Sequence, residues 1–393
     1  MGKPHRPLSA PPGTFSMSAF SLEHLLGGIS PEVFLAEYWQ KKPLLVRLAL
    51  PDFGGWLDRD RLSKLALRDD AESRLVRFIR GKCLLDHGPF EEEDLAGLPK
   101  KNWSLLVSGV NHFLPDGDAL LHAFDFIPYA RMDDLMVSFA PTGGGVGPHF
   151  DSYDVFLIQG LGRRRWEISA QDDLEVMDDA PLRILKRFAP TQSWELEPGD
   201  MLYLPPQYAH NGVALSDCMT WSVGFRVPTA EDMVGNFLNY MQDHLKPVGH
   251  YSDPDLMRSP HPAEIPETML DQVEGMLKAI HWDKTVVEDF LGRHLSEPKA
   301  HIFFNPPEHP LKPTAFGKAV AKTGLRLDAR SQLLFRGHRF FMNGERMECT
   351  RETCALLQTL ADRRHLPPTT LTDLLPLLHE WYVAGFVVPG SLS

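Results

Sequence analysis

The chain has little cysteine: four in 393 residues (Cys83, Cys218, Cys349 and Cys354), with no CxxC pair among them. That is too few for a disulfide scaffold, and the plain expectation is a reducing, cytosolic setting. It also lacks a basic excess. Lys+Arg number 40 against 52 Asp+Glu, a net charge of −12, which argues against a protein built to coat free nucleic acid but suits a basic protein partner. No run of about 18 apolar residues could span a bilayer, and no charged-then-apolar start reads as a secretion signal. There is no internal repeat. What remains, at 43% hydrophobic, 10% aromatic and 23% charged, is ordinary globular composition, and the length predicts two or three domains.

The texture of the chain divides it. Residues 1–18 carry Pro4, Pro7, Pro11, Pro12 and Gly13 without apolar periodicity, and are expected to form a mobile tail. Ser30-Pro31 predicts a helix to about Gln40, because serine caps a helix and proline fits its first position. A second helix is expected over 58–67. From about Trp103 to Val227, short β-branched and aromatic runs (103–110, 134–140, 153–159, 165–169, 201–204, 219–226) are separated by Gly, Pro and Asp. That spacing predicts a jelly-roll sandwich or barrel. Helical patterns return at 230–245, 266–279 and 283–294. Their apolar stripe of Met233, Phe237, Leu238, Met241 and Leu245 predicts a symmetric homodimer. A proline-rich linker over 301–313 leads to a last unit with a strand pair near 337–345, helices at 350–364 and 370–382, and a net charge of about +3.

The chemistry is concentrated in Gly147-Pro148-His149-Phe150-Asp151. Read as a strand through Gln159, this segment projects His149 and Asp151 from one face, two adjacent metal ligands. A second histidine completes a 2-His-1-carboxylate set, which holds Fe(II) and leaves positions open for O2 and a cosubstrate. His210 is the candidate, following a Pro-Gly-Asp turn, the apolar run 201–204 and Pro205-Pro206. Next, Arg163-Arg164-Arg165-Trp166-Glu167-Ile168 alternates so that Arg164 shares the inward face with Trp166 and Ile168. A buried guanidinium without a carboxylate is costly. No acidic residue of that hairpin faces it, so a bound dicarboxylate, 2-oxoglutarate, is the natural partner. Gly143–Gly147 lacks the GxGxxG spacing of a phosphate loop and is expected to let backbone pass close to the pocket. Thr220 and Ser222 share a face and border either the cosubstrate or the core. Tyr153 and Asp154 are candidates for gripping a cationic substrate side chain. Cys349 and Cys354 are expected in the core, and His244, His250, His261, His281 and His294 on solvated surface.

Asp134-Leu135-Met136, the Gly143–Asp151 segment, Tyr153–Phe156 and Gly162–Trp166 together closely resemble the bacterial JmjC-type ribosomal oxygenases, as do Tyr38–Pro43, His87–Phe90 and Tyr251–Pro254. The resemblance runs from about residue 20 to near the C-terminus, leaving the proline-rich tail outside it. It implies an α+β chain with four parts: the tail (1–18), a JmjC/cupin double-stranded β-helix (jelly-roll) domain with N-terminal helices (19–228), a helical dimerisation region (229–300) and a winged-helix-like domain (301–393). It further implies His149, Asp151 and His210 as catalytic iron ligands, Arg164 as the 2-oxoglutarate anchor, and hydroxylation of an arginine of a ribosomal protein, L-sixteen, in the cytoplasm. No membrane association and no sequence-specific nucleic-acid binding are expected. Two alternatives stay open: a JmjC hydroxylase or demethylase for another residue or protein, and a non-catalytic ribosome-binding module.

Overall fold

The computed structural model describes residues 21–54, 57–206 and 208–390; the expected N-terminal tail lies outside them. By chain contacts the protein forms two units, one of residues 1–227, 299–331 and 364–393, the other of 228–298 and 332–363. No helix among the described residues is long and apolar enough to cross a membrane.

In the first unit, helices α1 (Leu22–Leu25), α2 (Pro31–Glu37), α3 (Arg59–Ala66), α4 (Glu92–Ala96) and α5 (Pro115–His122) accompany eleven strands. These are β1 (Leu44–Val46), β2 (Ser73–Ile79), β3 (Lys82–His87), β4 (Trp103–Val107), β5 (Met132–Ala140), β6 (Val155–Leu161), β7 (Arg164–Ser169), β8 (Gln192–Leu196), β9 (Met201–Leu204), β10 (Ala209–Ala214) and β11 (Cys218–Phe225). Eight make an antiparallel sheet in the order β1-β9-β6-β11-β5-β4-β2-β3, and three make a second sheet, β10-β7-β8. Neighbours distant in sequence, such as β6 beside β9 and β11, are the signature of a jelly roll.

Period-two alternation gives the large sheet two apolar faces. Phe156, Ile158, Met201, Tyr203, Trp221 and Val223 face outward and join a core that includes Phe34, Leu62 and Leu65 of α2 and α3. Val155, Leu157, Leu202 and Leu204 face inward and meet Trp166, Ile168 and Leu196 of the small sheet. The expected helix starts are present. Ser30 Oγ accepts from Val33 N at 3.3 Å with Pro31 following, and Asp58 caps α3 by accepting from Arg61 N at 2.8 Å.

One expectation is corrected: the strand read over 153–159 begins only at Val155, and residues 147–154 are irregular apart from a single bridge at His149. Asp154 ends that irregular stretch. Its fully buried carboxylate accepts from Tyr203 Oη at 2.6 Å and Gln40 Nε2 at 2.9 Å, with Arg131 at 3.5 Å. Asp154 is thus a structural anchor on the outer side of the sheet, away from the inner cavity.

The first unit also holds α9 (Pro313–Thr323), α11 (Leu375–Val383) and the sheet of β16 (His365–Leu366), β12 (Leu325–Leu327) and β17 (Val387–Pro389). Phe316 stacks on Tyr382, ring centroids 4.9 Å apart. The second unit contains α6 (Ala230–His244), α7 (Glu267–Lys278), α8 (Lys284–Ser296), α10 (Arg351–Arg363) and the meander β13 (Leu333–Arg336), β14 (Arg339–Met342), β15 (Glu345–Glu348). Its buried Asp289 accepts from Tyr240 Oη, Arg293 Nε and Arg346 Nη1 at 2.8–3.0 Å. Cys354 is buried, but Cys349 is only half-buried and is joined to Cys354 by a disulfide, so the reading of both as core thiols is corrected.

Phe34 is fully buried, its ring 4.9 Å from Tyr203, 5.5 Å from Phe156 and 5.8 Å from Phe126. Phe34→Ala is therefore expected to destabilise the chain by roughly 3–5 kcal/mol, and Leu35→Ala on the exposed side of α2 by less than about 1 kcal/mol, as read from urea denaturation midpoints.

Candidate metal centre

His149 and His210 are brought together by main chain. Although one lies in irregular chain and the other on β10, they form an antiparallel bridge in which His149 N donates to His210 O at 3.0 Å and His210 N to His149 O at 2.7 Å. Each ring is then fixed by a carbonyl two residues earlier: His149 Nδ1 donates to Gly147 O and His210 Nδ1 to Tyr208 O, both at 2.9 Å. With the protons on Nδ1, both Nε2 atoms present lone pairs, the form that ligates metal. The ring centroids are 4.2 Å apart, and Asp151 Oδ2 lies 3.6 Å from His210 Nε2. One ligand atom from each of His149, Asp151 and His210 lies within 4.8 Å of the others. Burial, reinforced by the neighbouring His149, lowers the His210 pKa to about 4, so this ring is neutral at pH 7. Two imidazoles and one carboxylate suit a divalent transition metal such as Fe(II).

This group borders a cavity of about 490 Å³ between the sheets. Arg164 reaches it from β7, buried, with its guanidinium 5.6 Å from the Trp166 ring centroid. Its Nε and Nη2 are buried and have no hydrogen-bond partner. The alternation read from sequence holds here: Arg164, Trp166 and Ile168 are buried while Arg163 and Arg165 face outward, Arg163 reaching Glu195 at 3.4 Å. The orphaned guanidinium is the feature a carboxylate-bearing cosubstrate fits. Thr220 and Ser222 both line the cavity, Thr220 Oγ1 donating to Gln159 Oε1 at 3.2 Å.

Charged residues, three acids and a lysine, form another part of the wall, and sequence reasoning missed them. Glu72, Asp133, Asp134 and Lys299 all line the cavity. Asp134 accepts from Gly109 N at 2.7 Å, and its pKa is raised chiefly by burial, with Lys299 opposing and Asp133 adding to the rise. Lys299 Nζ sits 2.8 Å from Asp133 Oδ1. The adjacent Asp133-Asp134 pair at the start of β5 was the available signal. Tyr153 lines the cavity as expected, and burial, then the Asp151 and Asp134 carboxylates, push its phenol pKa up.

A hairpin over 173–187 completes the rim. Val176 pairs with Leu185, Leu182 and Arg183 reach the cavity, and Leu185 N donates to Pro148 O at 2.8 Å beside His149. Its exposed base is laced by Lys186 to Glu175 and Asp178 and by Arg187 to Asp173 and Glu175, at 2.7–3.1 Å.

Two family descriptions match the chain: a JmjC domain over residues 119–233 and a ROXA-like winged helix over 279–387. The ribosomal protein uL16 3-hydroxylase of Escherichia coli is 36% identical over 319 residues, 80% of this chain and 84% of that protein. The chain belongs to the JmjC ribosomal oxygenases. A probable ribosomal oxygenase of Haemophilus influenzae is 38% identical over 63% of this chain and 60% of its own length. The X-ray structure of Escherichia coli YcfD superposes with a TM-score of 0.81 at 33% identity, covering 92% of this chain and 98% of that one. A YcfD complex with cobalt and 2-oxoglutarate superposes at 0.78 with the same coverage. As members of this family do, the chain carries a JmjC jelly roll and a C-terminal winged helix.

Titration with Co(II) is expected to reveal one site per chain at this ribosomal-oxygenase centre. His149→Ala, at a half-buried position, should weaken it at least ~100-fold while far-ultraviolet circular dichroism stays unchanged. Undiminished Co(II) affinity would remove His149 from the ligand set.

Proposed function

We propose that this ribosomal oxygenase is an Fe(II)- and 2-oxoglutarate-dependent dioxygenase that hydroxylates an arginine side chain of ribosomal protein uL16. In this reading His149, Asp151 and His210 hold the iron and Arg164 receives the far carboxylate of 2-oxoglutarate. The observation that carries it is the buried, unpartnered Arg164 guanidinium sharing one cavity with the 2-His-1-carboxylate group. The name of the Escherichia coli relative supplies the substrate.

Iron(II) with 2-oxoglutarate supplies the oxidation of an unactivated C–H bond by O2, coupled to decarboxylation of the cosubstrate. The chain's own residues do the rest. Arg164, over Trp166, orients the dicarboxylate by a charge-assisted contact in a dry lumen. Tyr153, its phenol held protonated beside Asp151, lines the same cavity. Glu72, Asp133 and Asp134 offer the negative charge that a substrate guanidinium needs. An acidic chain of net charge −12 also favours approach of a basic ribosomal protein.

The same reading assigns catalysis to residues 19–228, dimerisation to 229–300 and a winged-helix-like role without sequence-specific nucleic-acid binding to 301–393, in the cytoplasm. Phe237 and Met241 of α6 are used inside their own unit, against Trp282 and Phe290 or buried. Val234 and Leu238 of α6 and Leu270 and Leu277 of α7 remain exposed, an apolar surface that supports a homodimer. Sedimentation at micromolar concentration is expected to give the dimer mass, and a charged pair, Leu238→Glu with Leu277→Glu, to give the monomer.

Arg164→Met keeps the stem and deletes the guanidinium. Apparent 2-oxoglutarate affinity should fall ~30-fold, about 2 kcal/mol, with Co(II) binding intact; Arg163→Met and Arg165→Met should change it less than about twofold. Equal losses at all three would refute the assignment of Arg164.

The substrate is tested with uL16 peptides. One oxygen atom is expected on the arginine peptide, dependent on Fe(II) and 2-oxoglutarate, and little on a peptide with lysine in its place, because an ammonium does not reproduce forked, planar recognition. Turnover of 2-oxoglutarate with some other peptide and none with this one would point to a different hydroxylase.

A further inference from the structure

Among the described residues, a second group of ligand-type side chains converges far from the cavity in sequence: His338, Cys349 and Cys354, all within the unit of residues 228–298 and 332–363. His338 lies in the turn between β13 and β14, and Cys349 N donates to its carbonyl at 3.1 Å. Cys354 lies in the first turn of the 13-residue helix α10, its N–H donating to Thr350 O at 3.0 Å. The two Cα atoms are 5.3 Å apart and the sulfurs are bonded. That separation falls inside the ~4.4–6.8 Å that a disulfide spans without moving the backbone. His338 Nδ1 is 3.3 Å from Cys354 Sγ. Cys354 is buried, Cys349 half-buried and His338 exposed, so the pair meets solvent through Cys349. The other two cysteines, Cys83 and Cys218, are free.

We infer that Cys349 and Cys354 are a reversible thiol–disulfide site in this unit, oxidised by low-molecular-weight disulfides and reduced by low-molecular-weight thiols. The bridge spans only five residues of sequence. A loop that short removes little entropy from the unfolded chain, so the pairing is poorly suited to a purely stabilising role. In the cytoplasmic setting proposed above, the pair rests as two thiols, since disulfides there are mostly transient and regulatory.

The positions divide the work. Cys349, the accessible sulfur, attacks one sulfur of the small disulfide; an S–S bond forms to Cys349 as the original S–S bond breaks, and one thiolate leaves and takes up a proton. Cys354 then attacks Cys349 Sγ. The imidazole of His338 takes the Cys354 thiol proton, and the start of α10 favours the resulting thiolate. The protein disulfide closes and the second small thiolate departs with a proton. In sum, two protein thiols are oxidised and one small disulfide is reduced to two thiols. Closure ties the end of β15 to the first turn of α10.

The test uses the full chain, reduced with dithiothreitol, desalted, and incubated with glutathione disulfide. Remaining thiols are blocked with N-ethylmaleimide and the peptides mapped by mass spectrometry. The peptide pair containing Cys349 and Cys354 should lose two hydrogens at least ~10-fold faster than Cys83 acquires glutathione. Cys354→Ser should trap glutathione on Cys349. His338→Gln should slow closure ~5-fold or more without changing the rate at Cys83, a difference that a merely structural histidine would not produce. Retention of both thiols while Cys83 reacts would overturn the inference. So would one zinc ion per purified chain, lost in Cys349→Ser, which would make the group a metal site.

Discussion

Two main-chain hydrogen bonds between His149 and His210 are the constraint on which the site rests. They join an irregular segment to a strand of the small sheet and set both imidazoles before any ligand is considered. Side-chain contacts alone would leave two long excursions free to slide; paired backbone groups do not slip without breaking both bonds. The glycine run upstream makes this approach possible. A Cβ at Gly145 would strike the carbonyl of Gly212 on the same strand as His210, and one at Gly144 would strike Trp103 O. The run therefore serves close backbone passage.

Around that bridge the cavity is polarised. Arg164 contributes a buried positive charge, and Glu72, Asp133 and Asp134 contribute negative charge, Glu72 from an exposed position and the two aspartates half-buried. The same burial that makes Arg164 want a partner keeps His210 neutral. One low-dielectric environment thus sets a pairing state and a protonation state together.

Local patterns made much of this legible. The alternation over 163–168 depends only on strand period, and the histidine after Pro205-Pro206 is announced by turn chemistry. The HxD pair was found for a reason that needed correction: His149 and Asp151 converge on an extended, largely unpaired segment rather than within a regular strand. Asp154 was misplaced although the strand period argues against it: it shares parity with Phe156 and Ile158, which face outward, and its carboxylate accepts from Tyr203. Long-range pairing hid the rest. Glu72 and Asp133 meet only because β2 joins the sheet through β4, and Lys299 comes from beyond the helices. Strands β2, β3 and β10 carry charge, glycine or asparagine that blurs their period. The Cys349–Cys354 bridge escaped because its spacing matches no familiar pair motif.

The rim hairpin over 173–187 gives the cavity walls of unlike material. The inner wall is a hydrogen-bonded sheet backed by a hydrophobic core, whose cohesion is indifferent to ionic strength. The outer one is tied to Pro148 by a backbone bond, buries Ile184 and Leu185, and is laced at its base by solvent-exposed Lys186, Arg187 and their acids. Dissolved ions screen such contacts. Salt therefore loosens the bracing within one wall of the cleft and leaves the other wall untouched.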